Sequence, residues 1–330
     1  MRRIILTMIV LLTVIGLRAS DIVATVKVVY DGTSATVTIP TSVSNYVTCE
    51  SGTSSHVKIV QASTSDDNPG EIMYTLSGTS DDGEFYMTGE YKATLKLSSL
   101  TLTNPDSTAI HIKDGKRIKV SVTGTNTLTD GTTDEESKGC FHCKGHTEFV
   151  GSGTLNVVSN INHGIYSKEY VTIKNCTINI TSTKKDGIHC QEYFLMNSGT
   201  VNISDVADDG IQVEIKDSEN VTGTTTDHED EDSGNFYQEG GTLTISDYGG
   251  KAIKADGSIA FNSGTQNFTT SDITENAATA TAISSITVDR QQATDGIYDL
   301  GGRKMPENGQ LPKGIYIIKK GNTTTKTIIK

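Results

Sequence analysis

Apolar and polar positions alternate in short runs along this chain, and the alternation itself repeats. Leu155-Asn156-Val157, Ile178-Asn179-Ile180 and Val201-Asn202-Ile203 each hold an asparagine between two aliphatics, at intervals of 23 residues. His163-Gly164-Ile165, Asp186-Gly187-Ile188 and Asp209-Gly210-Ile211 keep the same interval, and so do Val150, Ile173 and Met196. Three classes of position with one period mark a structural repeat. Looser copies flank these at Ala109-Ile110-His111-Ile112, Gly139-Cys140-Phe141-His142 and Lys251-Ala252-Ile253-Lys254. Each copy contains three short strands separated by Gly, Asn or Asp corners, exemplified by the Gly-Ile segment, residues 170–173 and residues 177–181. Three strands in about 23 residues, stacked coil on coil at ~4.8 Å, predict a right-handed parallel β-helix.

Strand alternation then sorts the side chains. Ile165, Ile188, Ile211 and Ile253 should form one inward ladder, backed by Cys190 and Val213. Leu155/Val157, Ile178/Ile180, Val201/Ile203 and Leu243/Ile245 should form a second. The outward positions on the Gly-Ile strand are His111, Phe141, Tyr166, His189, Gln212 and Lys254. On the Thr-x-Asn strand they are Asn156, Asn179, Asn202, Thr244 and Asn267. The asparagines are expected to bond one another between coils, which needs no ligand. Tyr166 and His189 suit either ring contacts between coils or a surface for an extended polymer.

Composition narrows the class. Hydrophobic residues make up 35% and aromatics 6%, without Trp, which suits a thin core of stacked aliphatics. Recurrent β-branched runs exclude a disordered chain, and the scarcity of uninterrupted helix formers excludes a helical one. The net charge of −12 excludes a nucleic-acid partner. That charge is unevenly spread. Eight basic and four acidic residues from Asp289 onward leave the tail at +4, and residues 1–19 carry +3, so the body holds −19.

The two ends depart from the repeat. Arg2 and Arg3, the apolar run from Ile4 to Leu17 and the Leu17-Arg18-Ala19 step predict a signal peptide over residues 1–20. The repeat region, 21–273, opens with an aperiodic β-rich part, 21–90, that either caps the helix or begins it irregularly. A small-residue stretch, 274–288, reads as a linker. Residues 289–330 then predict a small C-terminal β-sandwich, from Gly296-Ile297-Tyr298-Asp299-Leu300-Gly301-Gly302-Arg303, Leu311-Pro312-Lys313-Gly314-Ile315-Tyr316 and the closing Ile328-Ile329-Lys330. These runs resemble the C-terminal sorting domains of type IX (Por) secretion cargo. The resemblance implies passage through an outer-membrane export machinery and residence at the cell surface, or outside, of a Gram-negative bacterium.

Candidate chemistry gathers at the corner before the Gly-Ile strands. Asp186, Asp208 and Asp209 stand there on successive coils, about one strand spacing apart, so the carboxylates need a shared proton, hydrogen bonds or a cation. Outside a cell the natural cation is calcium. An insertion after Lys216 adds Asp227, Glu229, Asp230, Glu231 and Asp232, which are expected to close over the same corner. The metal candidates are therefore Asp186, Asp208, Asp209, Asp227, Glu229, Asp230 and Asp232. Tyr166, His189, Gln212, Lys168, Lys185 and Lys254 are the ligand-binding candidates; the lysines are local cations in a body that repels polyuronates at long range. Cys140-x-x-Cys143 with His142 and His146 looks superficially like a zinc cluster, but strand alternation sends Cys140 inward and Cys143 outward. A bond involving Cys143 or Cys176 stays open.

The runs from Phe141-His142-Cys143-Lys144-Gly145-His146 through the three Gly-Ile motifs to Lys251-Ala252-Ile253-Lys254 resemble the exported carbohydrate-binding parallel β-helix family, whose fold is similar to that of pectate lyases. The resemblance spans roughly 70–270. It implies non-catalytic binding of a polysaccharide, neutral glucan or pectic, with calcium at Asp-bearing corners. Two other readings compete. A calcium-dependent lyase would draw its base from Lys168, Lys185 or Lys251, and a β-helical hydrolase its acid pair from Asp186 and Asp209. No Arg lies between Arg117 and Arg290 to hold uronate carboxylates, which weighs against the lyase. A purely structural surface protein is the third reading.

Overall fold

The computed structural model describes residues 22–62, 70–131, 137–181, 184–216, 231–275, 296–299, 304–305, 314–320 and 323–329. Two compact units divide between Thr281 and Ala282. The larger is a parallel β-solenoid with three faces. Face I holds Ile110–Ile112, Gly139–Cys143, His163–Ser167, Ile188–Gln191, Ile211–Glu214 and Ile253–Ala255. Face II runs from Ile118–Thr123 through Thr147–Gly151, Val171–Lys174, Tyr193–Met196 and Asn235–Gln238 to Ile259–Phe261. Face III runs from Thr125–Thr129 through Thr154–Val158, Thr177–Thr181, Thr200–Ile203 and Thr242–Ile245 to Thr265–Asn267. Within each face every strand pairs in parallel with its equivalent on the next coil.

Both expected aliphatic ladders are in register. Ile165 faces Ile188, Ile188 faces Ile211, and Ile211 faces Ile253, all fully buried. Leu155, Ile178, Val201 and Leu243 stack likewise on face III. The asparagine column between them is a hydrogen-bonded ladder: Asn179 Nδ2 donates to Asn156 Oδ1, and Asn202 Nδ2 to Asn179 Oδ1, each at 2.8 Å. Gly187 and Gly210 are required by the same packing. A Cβ at Gly210 would lie 2.6 Å from both the Ala252 carbonyl oxygen and Ile245 Cγ2, so the face I corner presses on the face III ladder. The bend between faces II and III is made by left-handed residues, among them Gly124, Asn175, Gly199 and Gly241. One coil earlier, Ala93–Thr103 passes through that bend unbroken, with Ser99 at φ 53°.

Residues 22–62 both begin and cap the stack. Ile22–Asp31 pairs in parallel with Glu71–Ser80, and His56–Gln61 with Glu84–Thr88, extending the coils. Antiparallel strands Ser34–Thr38 and Val47–Cys49 turn back on them and close that end. At the other end Ile273–Glu275 pairs with Ile253–Ala255, so the stack runs two residues past 273. In the smaller unit the described strands form one antiparallel sheet, in the order Lys304–Met305, Gly296–Asp299, Gly314–Lys320, Thr323–Ile329. The signal segment lies outside the described residues.

One stretch of face I differs from the sequence expectation by a single residue. Gly139 pairs with His163 rather than with Gly164, which places Phe141 opposite Ile110 and Ile165. A one-residue shift sends every side chain to the other side of a strand. Phe141 is therefore core, packed 5.3 Å from Phe149, and His142 takes the outward place. Cys143 points inward as well, and Cys140, Cys143, Cys176 and Cys190 are all buried and unbonded. No disulfide joins Cys143 or Cys176.

Candidate functional site

The outward column of face I reads Tyr86, His111, His142, Tyr166, His189, Gln212, Lys254. Its first four rings contact one another. Tyr86 meets His111 edge-on at 5.3 Å, His111 stacks on His142 at 4.3 Å, and His142 meets Tyr166 edge-on at 5.1 Å. These four rings floor a groove of about 540 Å³, rimmed by Lys113, Lys138 and Lys168. Burial, with lesser contributions from His111 and the nearby lysines, pushes His142 down to about 3, so its ring is neutral. The groove therefore offers flat aromatic surface inside a ring of ammonium groups.

Of the residues expected to hold a ligand, Tyr166 and Lys168 line this groove. Tyr86, His142, Lys113 and Lys138 join them and were missed. His142 was hidden by the register shift. Tyr86 was legible, since Phe85-Tyr86-Met87 has the alternation of Ile110-His111-Ile112 and pairs with it directly. His189 occupies the column but is only 8% exposed, because its ring turns toward carboxylates rather than solvent. Gln212 donates to Glu214 Oε1 at 2.7 Å. Lys185 and Lys254 stand at the aspartate corner instead of the groove, with Lys254 Nζ 3.5 Å from Asp209 Oδ2.

That corner brings Asp186, Asp208 and Asp209 together, one carboxylate oxygen of each lying within 4.8 Å of the others. Asp186 is 1% exposed and fully engaged: Oδ2 faces His189 Nδ1 at 2.9 Å and His163 Nδ1 at 3.1 Å, and Oδ1 accepts the Asp209 N–H at 3.0 Å. Burial alone would raise this carboxyl, but the two imidazoles outweigh it and hold it well below the usual range. His189 also faces Glu214 Oε2 at 3.3 Å. Burial would lower its pKa, yet Asp186 and Glu214 raise it to about 9. Asp209 behaves oppositely, since burial raises it, with Asp186 and Asp208 adding to the effect. Its Oδ2 is buried with no hydrogen bond, and its Oδ1 accepts the Lys251 N–H at 2.7 Å.

The insertion does not return to this corner where the structure describes it. Asp232 Oδ1 accepts the N–H of Lys216, beyond the far end of the Ile211–Glu214 strand from Asp209. Asp227, Glu229 and Asp230 lie outside the described residues. A second cluster, unforeseen in the sequence, occupies that far end. His146 Nε2 faces Glu169 Oε2 at 2.9 Å and Glu192 Oε2 at 3.3 Å, while Lys216 Nζ reaches the other oxygens at 3.0 and 2.9 Å. Two cations offset two carboxylates, and His146 extends the cluster into a stack with Tyr170 at 4.2 Å and Tyr193 at 4.7 Å beyond it.

Among proteins of known sequence, a carbohydrate-binding domain-containing protein of Acetivibrio thermocellus is 32% identical over 104 residues, which are 28% of this chain and 36% of that protein. The chain thus spans little more than a third of that relative. Among solved structures, a gadolinium derivative of the polysaccharide lyase-like protein from C. thermocellum shares the fold, with a TM-score of 0.53 at 21% identity over 76% of this chain and 99% of that one. A family model described as carbohydrate-binding domain-containing protein matches residues 53–300, well over half of the sequence, and the chain belongs to that family.

Proposed function

We propose that this is a secreted, surface-resident protein that holds a polysaccharide in the face I groove, with calcium at the aspartate corner and without cleaving the chain. The observation that carries the reading is the run Tyr86–His111–His142–Tyr166 beneath Lys113, Lys138 and Lys168. Pyranose faces stack on such rings, and ammonium groups pair with uronate carboxylates or donate to hydroxyls. The lysines offset locally the −19 charge of the body, so a pectic chain is accommodated as well as a neutral glucan.

Calcium is supported by the donor set. Asp208 and Asp209 offer carboxylate oxygens beside Gly250, where a Cβ would fall 2.6 Å from Asp208 Oδ1, and Asp209 Oδ2 is buried without a hydrogen bond. These two residues would hold the ion; a hard dication accepts an all-oxygen set. Export rests on the Arg2-Arg3 segment with its apolar run, and on the basic tail. Non-catalytic action fits the commitment of Asp186 to two imidazoles and an N–H, which takes it out of the acid pair with Asp209.

The test is retention of polysaccharide by the purified chain, with pectins and glucans, with and without chelator. Retention that weakens in chelator supports the whole reading. Failure to retain any polysaccharide overturns it, and release of unsaturated uronides or new reducing ends overturns its non-catalytic part.

A further inference from the structure

The acid–imidazole cluster behind the calcium corner has a different chemistry. We propose that His163, Asp186 and His189 form a binding site for a late first-row divalent cation, with zinc as its occupant. The three residues stand on two successive coils, His163 on one and Asp186 with His189 on the next, 23 residues separating His163 from Asp186 and three more reaching His189. Their side chains are 8%, 1% and 10% exposed, so the solenoid holds them in place. Both Nδ1 atoms converge on one oxygen, Asp186 Oδ2, at 3.1 and 2.9 Å. Two imidazole nitrogens and one carboxylate oxygen are a donor set for zinc and its neighbours, whereas calcium takes oxygen alone.

One ligand atom from each of His163, Asp186 and His189 lies within 4.8 Å of the others, close enough for a single ion to touch all three. The surroundings are those of a metal-bound histidine as well. His189 directs its other nitrogen, Nε2, at Glu214 Oε2, and Asp186 Oδ1 is fixed by the Asp209 N–H. Outer carboxylates and N–H groups of this kind orient metal ligands.

The cluster of His146, Glu169 and Glu192 supplies the contrast. There Lys216 already lies on both carboxylates, so no further cation is called for. At Asp186 the partners given by the geometry are the two imidazoles, and Lys254 reaches the neighbouring Asp209. A zinc ion would pin two successive coils beside Tyr166, whose ring lies 5.7 Å from that of His163 and 5.3 Å from that of His189.

The experiment uses the purified full chain stripped with chelator. It is titrated calorimetrically with zinc in the presence of excess calcium, and separately with cobalt(II) followed by visible absorption. One saturable zinc per chain, and the intense ligand-field bands of four-coordinate cobalt, are the expected results. His163→Ala and His189→Ala should each weaken zinc uptake by about tenfold or more, while His146→Ala and Asp208→Ala leave it unchanged. Absence of stoichiometric zinc uptake by the unmutated chain overturns the proposal, as does uptake that survives both histidine substitutions. Calcium and polysaccharide binding, measured on the same preparations, fail or succeed independently. The cobalt spectrum of the unmutated chain decides the matter even where a variant unfolds.

Discussion

His142 lies nearly flat against His111, the ring centroids 4.3 Å apart and the planes inclined by 14°. Such a pair is stable only while at most one ring is charged, and burial keeps His142 neutral far below physiological pH. The two imidazoles therefore act as aromatic surface continuous with Tyr86 and Tyr166. Tyr166→Ala removes the largest ring on the side of Lys168 and should weaken polysaccharide binding by about tenfold, or ~1.4 kcal/mol. Titration calorimetry with a soluble glycan measures it. An unchanged affinity would move the site off face I.

The lysine rim makes a separate prediction about ligand charge. Lys138→Ala combined with Lys168→Ala should reduce binding of a pectic chain several-fold and of a neutral glucan much less. Raising the ionic strength from ~0.05 to ~0.5 M should mimic the substitutions for the pectic chain, because exposed charge pairs are screened. Affinity electrophoresis at both salt levels, with both polymers, makes the comparison. Equal losses for the two polymers would assign the lysines a packing role.

On face III the asparagines have a different task. Asn179 both donates to Asn156 and accepts from Asn202, so its side chain is engaged by both neighbours. Asn179→Ala should cost ~1–2 kcal/mol of stability, one net hydrogen bond on each side, and leave glycan affinity untouched. Chemical denaturation and calorimetry on the same variant separate the two quantities.

Much of this arrangement was legible in the chain because a solenoid turns spacing into contact. Once the 23-residue period is seen, the pairs Ile188–Ile211, Asn156–Asn179 and Tyr166–His189 follow without further information. Some of what escaped breaks the period. The coil from Ile110 to Phe141 is longer than the three that follow it, so matching Gly139 to Gly164 looked natural, and it misplaced Phe141 and Cys143. His146, Glu169 and Glu192 do keep the 23-residue interval and could have been found by it; Lys216, which completes their cluster, stands 24 residues after Glu192. His189 was rightly placed in its column, but alternation cannot report that a side chain bends back along the strand to reach Asp186.

The corner glycines carry a sharp stability prediction. Gly210→Ala would set a Cβ 2.6 Å from the Ala252 carbonyl oxygen and from Ile245 Cγ2, in a place where backbone faces backbone. Overpacking of this kind costs ~1–3 kcal/mol. The equivalent change at Gly115, whose nearest contact would be the flexible end of Lys144 at 3.8 Å, should be close to neutral. A pair of thermal melts distinguishes them, and equal losses would contradict the tight-corner account.

The two histidine–carboxylate clusters predict how stability depends on pH. His146 and His189 are each raised from 6.5 to about 9 in the folded chain; burial opposes this, and the paired carboxylates exceed it. A raised folded pKa means the native state binds protons more tightly than the unfolded one, so the stabilisation is complete below 6.5 and lost as pH climbs through 9. Asp114 and Asp130, raised to about 6 by burial, finish most of their titration below that window, and His142 titrates well beneath it. Between pH 6.5 and 9.5, in the presence of chelator, the melting temperature should therefore fall steadily. His189→Gln should flatten roughly half of that fall and His146→Gln the remainder, because the clusters sit at opposite ends of the face I strands and act independently. A melting temperature that is level from pH 6.5 to 9.5 in the unmutated chain would show that neither imidazolium contributes to the fold.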